Sequence, residues 1–186
     1  MKKIAFVFTF ILVALFLAAC GSGNSGQNSD WQNYQNDELG ISFKHPETWL
    51  IQEANGVITL AVDQEALDNN ITTGAGATIM LATSADFDGW TDPRDILGLF
   101  MEYMEMGRDG LEKISEPEFT TIQDQPAGIV SYRGTIRDQT GLFTAITVIN
   151  EDRIALMLAF DGSEDEQHQE TLERITQSIS VYPPIK

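Results

Sequence analysis

The sequence predicts an α+β domain whose central sheet is covered by helices on both faces. Segments with strand patterns outnumber helical ones, in the order four strands, one helix, four strands and a final helix. The last strand segment, RIALMLAF at 153–160, is apolar almost throughout. This composition is typical of a strand at the centre of a sheet that is buried on both sides, and we expect helices to supply the cover.

Four strands are predicted in the first part of the domain, at 41–44, 49–51, 57–62 and 77–83. Apolar residues alternate along the first two, so Pro46 is expected to make the turn between them and Trp49 to anchor it in the core. Asn55-Gly56 is a strong signal for a tight hairpin before the third strand. The polar, glycine-containing segment 63–76 is expected to be a loop.

The first helix is predicted from its start signals and from apolar residues at helical spacing. Thr91 supplies an N-cap hydroxyl, and Asp92 and Pro93 follow in the first turn. An acid suits the positive end of a helix, and a proline suits a position whose N–H has no partner. Either Gly107 or Gly110 is expected to end this helix.

Four further strands are predicted, at 111–120, 127–136, 142–150 and 153–160. After them, Ser163 and Glu166 form the Ser-x-x-Glu pattern of a capping box, which predicts the start of a second helix there. The apolar stripe of this helix consists of Leu172, Ile175 and Ile179. The paired prolines near the C-terminus are expected to prevent regular structure beyond it.

Residues 1–19 have the pattern of a secretory signal peptide. Two lysines precede an apolar run at 4–17 that is short for a membrane-spanning helix, and small residues follow it. Leu17-Ala18-Ala19-Cys20 resembles the lipobox of bacterial lipoproteins, in which the cysteine becomes the first mature residue and carries acyl chains such as palmitate. Cys20 is the only cysteine, so an internal disulfide is excluded. We expect cleavage before Cys20 and its lipidation; the alternative is an ordinary signal peptide followed by a free thiol.

Three regions are therefore expected: a lipoprotein signal peptide at 1–19, acylated Cys20 with a flexible tether at 20–36, and one globular domain at 37–186. The tether is rich in Gly, Ser, Asn and Gln and has too few apolar residues to fold alone. Cleavage removes two lysines and no acid, so the formal charge of −17 becomes −19. So acidic a surface excludes nucleic acid as a partner.

No catalytic, cofactor or metal site is predicted. Neither His45 nor His168 lies in a catalytic motif, and GxSxG, HExxH, CxxC and EF-hand patterns are absent. Two acidic clusters could hold a hard cation such as calcium, although helix capping and solvation explain them better. Their members are Asp86, Asp88, Asp92 and Asp95, and Asp161, Glu164, Asp165 and Glu166. Met101, Met104 and Met106 are expected to fill gaps in the core rather than bind a soft metal.

Several segments, taken in order, resemble the PsbP-like family, whose fold is shared with Mog-type proteins and with bacterial envelope lipoproteins. They are GISFKHPETWLI at 40–51, TIQDQPAGIVSYRG at 121–134, RIALMLAF and the acid-capped last helix, and they cover most of residues 34–182. The resemblance implies an α/β/α sandwich with a mainly antiparallel central sheet flanked by helices. It also implies a docking or accessory role without enzymatic activity.

The expected function is that of a lipoprotein anchored on the extracytoplasmic face of the cell membrane. Its domain would act as a non-catalytic binding or accessory module of the bacterial envelope, with an unidentified protein partner and no cofactor. Two alternatives stay open: a hydrolase that uses His45 or the acidic clusters, and a calcium-dependent binder that uses the same clusters.

Overall fold

The computed structural model describes residues 30–69, 74–106, 110–136, 139–163 and 166–185. The predictions for the signal peptide, for Cys20 and for Gly107 thus fall outside the described residues. Half of the described residues lie in strands and 21% lie in helices. Within the described ranges, no helix is long and apolar enough to cross a membrane.

Strands make up most of the described elements, and a few short helices separate them. In chain order, the elements are β1 (Trp31–Asn36), β2 (Ile41–Pro46), β3 (Leu50–Ala54), β4 (Val57–Ala61), α1 (Gln64–Asp68), β5 (Ala75–Thr83), a short 3₁₀ helix (Ser84–Phe87), α2 (Pro93–Glu105), β6 (Leu111–Lys113), β7 (Glu118–Ile122), β8 (Gln125–Ile136), β9 (Gln139–Asn150), β10 (Arg153–Asp161), α3 (Gln169–Thr176) and β11 (Ser180–Val181).

The strands form two antiparallel sheets. The larger sheet has eight strands in the order β3-β4-β5-β10-β9-β8-β6, with β7 also paired to β8. The smaller sheet has three strands in the order β1-β2-β11. β10 lies between β5 and β9 at the centre of the larger sheet, which confirms the central position predicted from its apolar sequence.

Helix α2 covers one face of the larger sheet over β8, β9 and β10. Ile96, Leu97 and Met104 are its fully buried apolar side chains that contact the sheet. Alternate residues of β10, such as Ile154 and Phe160, point toward this helix. The amphipathic pattern that predicted the helix therefore corresponds to a real buried face.

The opposite face of the larger sheet packs against α3 and the smaller sheet together. Leu172 and Ile175 come from α3, while Ile41 and Phe43 come from β2. The other set of alternate β10 residues lies under them, at Ala155, Met157 and Ala159. At the edge of this layer, the Phe43 ring stacks on Tyr34 with centroids 4.7 Å apart, a favourable aromatic geometry.

The predicted α/β/α sandwich, with helices flanking the sheet on both faces, is wrong: the fold is mostly antiparallel β-sheet with few helices. α3 has eight residues, so it is only about 12 Å long. The larger sheet is about 30 Å wide at the usual strand spacing, so this helix cannot cover it. A second sheet supplies the remaining cover, and the apolar sequence of β10 does not distinguish the two kinds of cover.

The first strands differ locally from the prediction. β1 lies inside the segment expected to be a tether, because its backbone pairs with β2 and Trp31 packs against the core. β2 runs through Pro46, and the following turn is closed by the Trp49 N–H, which donates to the Pro46 carbonyl at 3.0 Å. Pro46 therefore begins the turn. The Asn55-Gly56 hairpin is confirmed, with left-handed φ angles of 54° and 74°.

The helix starts also differ from the prediction. Asp92, not Thr91, is the N-cap of α2, and its carboxylate accepts a hydrogen bond from the Arg94 N–H at 2.8 Å. α3 begins at Gln169, so the capping box predicted at Ser163 and Glu166 is wrong. The Ser163 hydroxyl donates to the Asp161 carboxylate instead.

Two smaller features of the chain were also missed. α1 lies within the predicted loop 63–76, where the Asp63 carboxylate accepts a hydrogen bond from the Ala66 N–H. The strand predicted at 111–120 is divided into β6 and β7, which flank Pro117. Proline has no N–H to donate to a ladder, so an interruption there is expected.

Tyr132 connects the sheet to α2. Its side chain is fully buried, and its hydroxyl donates to the Glu105 carboxylate at 3.0 Å. Burial, together with this hydrogen bond and the Glu105 charge, raises the pKa of Tyr132 well above its ordinary value. The folded protein therefore keeps this proton at pH values where the unfolded chain loses it.

We predict that Tyr132→Phe flattens the alkaline limb of the pH–stability profile. The contribution of Tyr132 to the stability of the fold is fully present below about pH 10. Above pH 10, the free energy of unfolding falls by up to about 1.4 kcal/mol per pH unit. Urea unfolding followed between about pH 9 and pH 12 measures this slope. Tyr103→Phe, at a mostly exposed position of α2, is the matched control. Parallel profiles for the two variants would contradict the prediction.

Candidate functional site

A groove opens between α3 and the part of the larger sheet that the smaller sheet leaves uncovered. β8, β9 and β10 form its floor, α3 forms one wall, and its volume is about 320 Å³. The lining residues are Glu118, Ile129, Ser131, Leu142, Thr144, Ala159, Asp161, Gln169, Leu172, Glu173, Thr176 and Gln177. This volume lies at the lower end of the range typical of small-ligand sites, about 300 to 1,000 Å³.

The groove combines an apolar floor with a polar rim. Leu142 and Ala159 are buried in the floor, beside the half-buried Ile129. At the rim, Glu118 of β7 and Glu173 of α3 are exposed. Between floor and rim, the hydroxyls of Ser131 and Thr144 form a cross-strand hydrogen bond at 3.1 Å.

One end of the groove is organised by Asp161, which is 1% exposed. One carboxylate oxygen accepts hydrogen bonds from the Ser163 N–H and the Ser163 hydroxyl, at 3.0 and 2.6 Å. The other accepts from the His168 N–H at 2.9 Å. The buried carboxylate thus holds the segment that leads into α3, which fixes the wall of the groove.

An ion pair neutralises the cationic side chain that follows Ser131 on β8. Arg133 lies two residues beyond Ser131, and its guanidinium contacts the Glu166 carboxylate. Glu166 was predicted to belong to a helix cap, but its φ of 50° places it in a left-handed turn before α3. The side chain therefore serves the ion pair rather than the helix.

The acids of the first predicted cluster serve local capping roles. Asp86 accepts hydrogen bonds from the Thr83 N–H and hydroxyl at 2.8 and 2.9 Å, which hold the pKa of Asp86 below its usual value. Asp92 caps α2, and Asp95 lies in its first turn. Asp88 ends the 3₁₀ helix in a left-handed conformation. Across the described ranges, no three His, Cys, Asp or Glu side chains group together as a metal site would require.

The two histidines occupy packed positions outside the groove lining. His45 is 7% exposed, and its ring nitrogen Nδ1 donates to the Pro46 carbonyl at 2.9 Å. Its ring meets Phe43 edge-on with centroids 6.2 Å apart. The half-buried His168 precedes α3 and packs edge-on against Trp49 at 6.1 Å. Both rings thus contribute to packing around β2 and the turn after it.

The three methionines have different environments. Met104 lies on the buried face of α2 and is fully buried, as predicted for a residue that fills the core. Met101 is half-buried against the same cluster, whereas Met106 is 71% exposed. The core-packing prediction is therefore confirmed for Met104 and Met101 and wrong for Met106.

Sequence reasoning did not identify the groove. Its lining comes from five consecutive elements, β7, β8, β9, β10 and α3, and each of them contributes only a few residues. Asp161 was the one lining residue considered as a possible ligand, as part of an acidic cluster, and Leu172 was predicted only as a packing residue of the last helix. No signal in the sequence distinguishes Ser131 and Thr144, because β8 and β9 carry other polar residues, such as Arg133 and Thr147.

Similar folds occur among solved structures. The solution structure of cyanobacterial PsbP from Synechocystis sp. PCC 6803 matches with a TM-score of 0.58 at 18% identity, over 88% of this chain and 99% of that chain. The fold is PsbP-like. A crystal structure from Bacteroides thetaiotaomicron VPI-5482 has a TM-score of 0.49 at 7% identity, over 81% of this chain and 48% of the other. No protein-family model and no curated protein sequence matches the chain.

We predict that His45→Ala lowers the free energy of unfolding by about 1 to 3 kcal/mol, because it removes a buried ring and one of the two hydrogen bonds that the Pro46 carbonyl accepts. Urea unfolding measures the change. Gln32→Ala is the matched control, since Gln32 is the exposed cross-strand neighbour of His45. An unchanged unfolding midpoint for His45→Ala would contradict the packing role and favour a chemical one.

Proposed function

We propose that the chain is a lipid-anchored protein of the extracytoplasmic membrane face whose PsbP-like domain is a non-catalytic binding or accessory module. The observation that supports the binding role best is the open groove of about 320 Å³ beside α3. The lining residues that the structure describes include no histidine, lysine, arginine or cysteine. The groove thus offers hydrogen bonds and negative charge without a histidine, lysine or cysteine to act as base or nucleophile.

The hydrogen bonds at the groove support the same proposal. The Ser131 hydroxyl is paired with the Thr144 hydroxyl rather than with a base. The Asp161 oxygens are occupied by the segment before α3. These groups stabilise the walls of the groove, as expected where a rigid scaffold presents a binding surface. A PsbP-like fold is compatible with an accessory role of this kind.

The anchoring part of the proposal rests on the N-terminal sequence. Leu17-Ala18-Ala19-Cys20 has the order of residues that bacterial lipoprotein processing recognises. β1 begins at Trp31, so about ten residues would separate the lipid from the domain. A polar coil of that length has a root-mean-square reach of roughly 16 to 19 Å. The domain would then stay close to the membrane surface and meet partners there.

We predict that Cys20→Ser releases the protein from the membrane. Expressed in a bacterium that processes lipoproteins, the unsubstituted chain should partition into detergent, and its intact mass should correspond to a chain that begins at Cys20 and carries acyl groups. The variant should partition into the aqueous phase without acyl mass. A membrane-derived chain with an unmodified Cys20 would contradict the anchor. Two acyl chains give stable membrane binding, whereas one gives only marginal binding.

A further inference from the structure

We propose that the groove beside α3 binds a small organic cation that has an alkyl stem, such as a diamine. The inference deepens the proposed binding role and rests on it. It follows from three properties of the groove: the sign of its charge, the position of its uncompensated carboxylates and the apolar character of its floor.

Among the described residues that line the groove, all the charged ones are acidic. They are Glu118, Asp161 and Glu173. Asp161 uses its oxygens to bind Ser163 and His168, so Glu118 and Glu173 are the carboxylates available to a ligand. In the part of the chain that the structure describes, neither of these two forms a salt bridge. An incoming ammonium group would supply the missing opposite charge.

An anionic ligand is disfavoured at the same place. Arg133 lies on β8 beyond Ser131, but Glu166 already neutralises its guanidinium. The formal charge of the whole chain is −17, and its field repels anions and concentrates cations near the surface. The electrostatics of the groove and of the molecule therefore select the same sign of ligand.

The floor of the groove favours an organic cation over a metal ion. Ile129, Leu142 and Ala159 present carbon atoms to the cavity, and a methylene chain can lie on such a surface while its charged ends reach carboxylates. A calcium ion requires 6 to 8 oxygen ligands, about 2.4 Å away. Within the described ranges, no group of three acidic or histidine side chains could begin such a shell.

The polar side chains of the rim can orient the ligand. Gln169, the first residue of α3, lies about one helical turn before Glu173, and Gln177, the C-cap of α3, lies about one turn after it. All three residues line the groove. Their carboxamide oxygens can accept hydrogen bonds from ammonium protons. The proposed ligand carries an ammonium group at each end of a short alkyl chain, because the groove has one carboxylate on β7 and another on α3.

The experiment is a calorimetric titration of the purified full chain with 1,5-diaminopentane at constant ionic strength. The unsubstituted chain should bind one molecule. The double variant Glu118→Gln with Glu173→Gln should bind about tenfold more weakly or worse, because two charge-assisted hydrogen bonds are lost. The double variant Glu47→Gln with Glu102→Gln is the matched control. It removes the same charge from exposed positions outside the groove lining, and its affinity should change by less than about twofold.

Equal weakening in the two double variants would overturn the proposal, because it would show attraction to the general acidic charge. The proposal would also be overturned if the unsubstituted chain bound neither the diamine nor a blocked lysine derivative, or if calcium chloride competed completely at matched ionic strength. In a second arm, a lysine derivative blocked at both backbone ends replaces the diamine. Binding of either supports the alkylammonium site, and the tighter one identifies the source as a free amine or as a protein side chain.

A measurement on the unsubstituted chain keeps the proposal testable if the groove variant does not fold. Amide chemical shifts followed during the diamine titration should change most on β8, β9 and α3, and little on β3 or β4. Shifts distributed over the whole surface would overturn the proposal. Loss of diamine binding with Cys20 still acylated would reject only this ligand, whereas an unmodified Cys20 with intact diamine binding would reject only the anchor.

Discussion

β2 pairs with β1 on one side and with β11 on the other, and this pairing joins the first and last parts of the domain. The junction is reinforced by side chains of the larger sheet, because Gln125 and Asn150 both donate to the Val181 carbonyl. It also allows little space: a Cβ added to Gly40 would lie 2.1 Å from the Tyr182 carbonyl oxygen. The smaller sheet therefore forms only when both ends of the domain are in place.

The position of α3 follows from that junction. The helix is followed after three residues by β11, and Ser178 on this connection donates to the Ile175 carbonyl and accepts from the Lys44 N–H. α3 is thus held beside β2 and cannot move across the larger sheet. α3 and the smaller sheet leave part of this face uncovered over β8, β9 and β10. The groove is therefore a direct consequence of how the second face is covered.

Local features of the fold were predictable where one short segment determines the result. Asn55-Gly56 specifies its hairpin because both residues tolerate positive φ. The apolar sequence of β10 specifies a central strand, and Pro93 with a preceding acid specifies the start of α2 to within one residue. Each of these signals depends on backbone preferences that act within a few residues.

Features that depend on pairing or contacts between elements were not predictable. β1 is polar and has strand structure only because β2 is beside it. Ser163 and Glu166 matched a helix cap, but Asp161 and Arg133 compete for the same side chains in the folded protein. The groove collects residues from five elements, and its existence depends on the length of α3 and on the width of the sheet. No local pattern contains that information.

The most direct test of this account is the stability of a chain that lacks residues 179–186. Ile179 and Val181 are fully buried, so we expect their loss, together with that of β11, to lower the free energy of unfolding by about 4 kcal/mol or more. Denaturant unfolding measures this value, and a chain that lacks only residues 184–186 should lose less than about 1 kcal/mol. If the chain that lacks residues 179–186 unfolds at the same denaturant concentration as the untruncated chain, the junction between β2 and β11 does not hold the fold together.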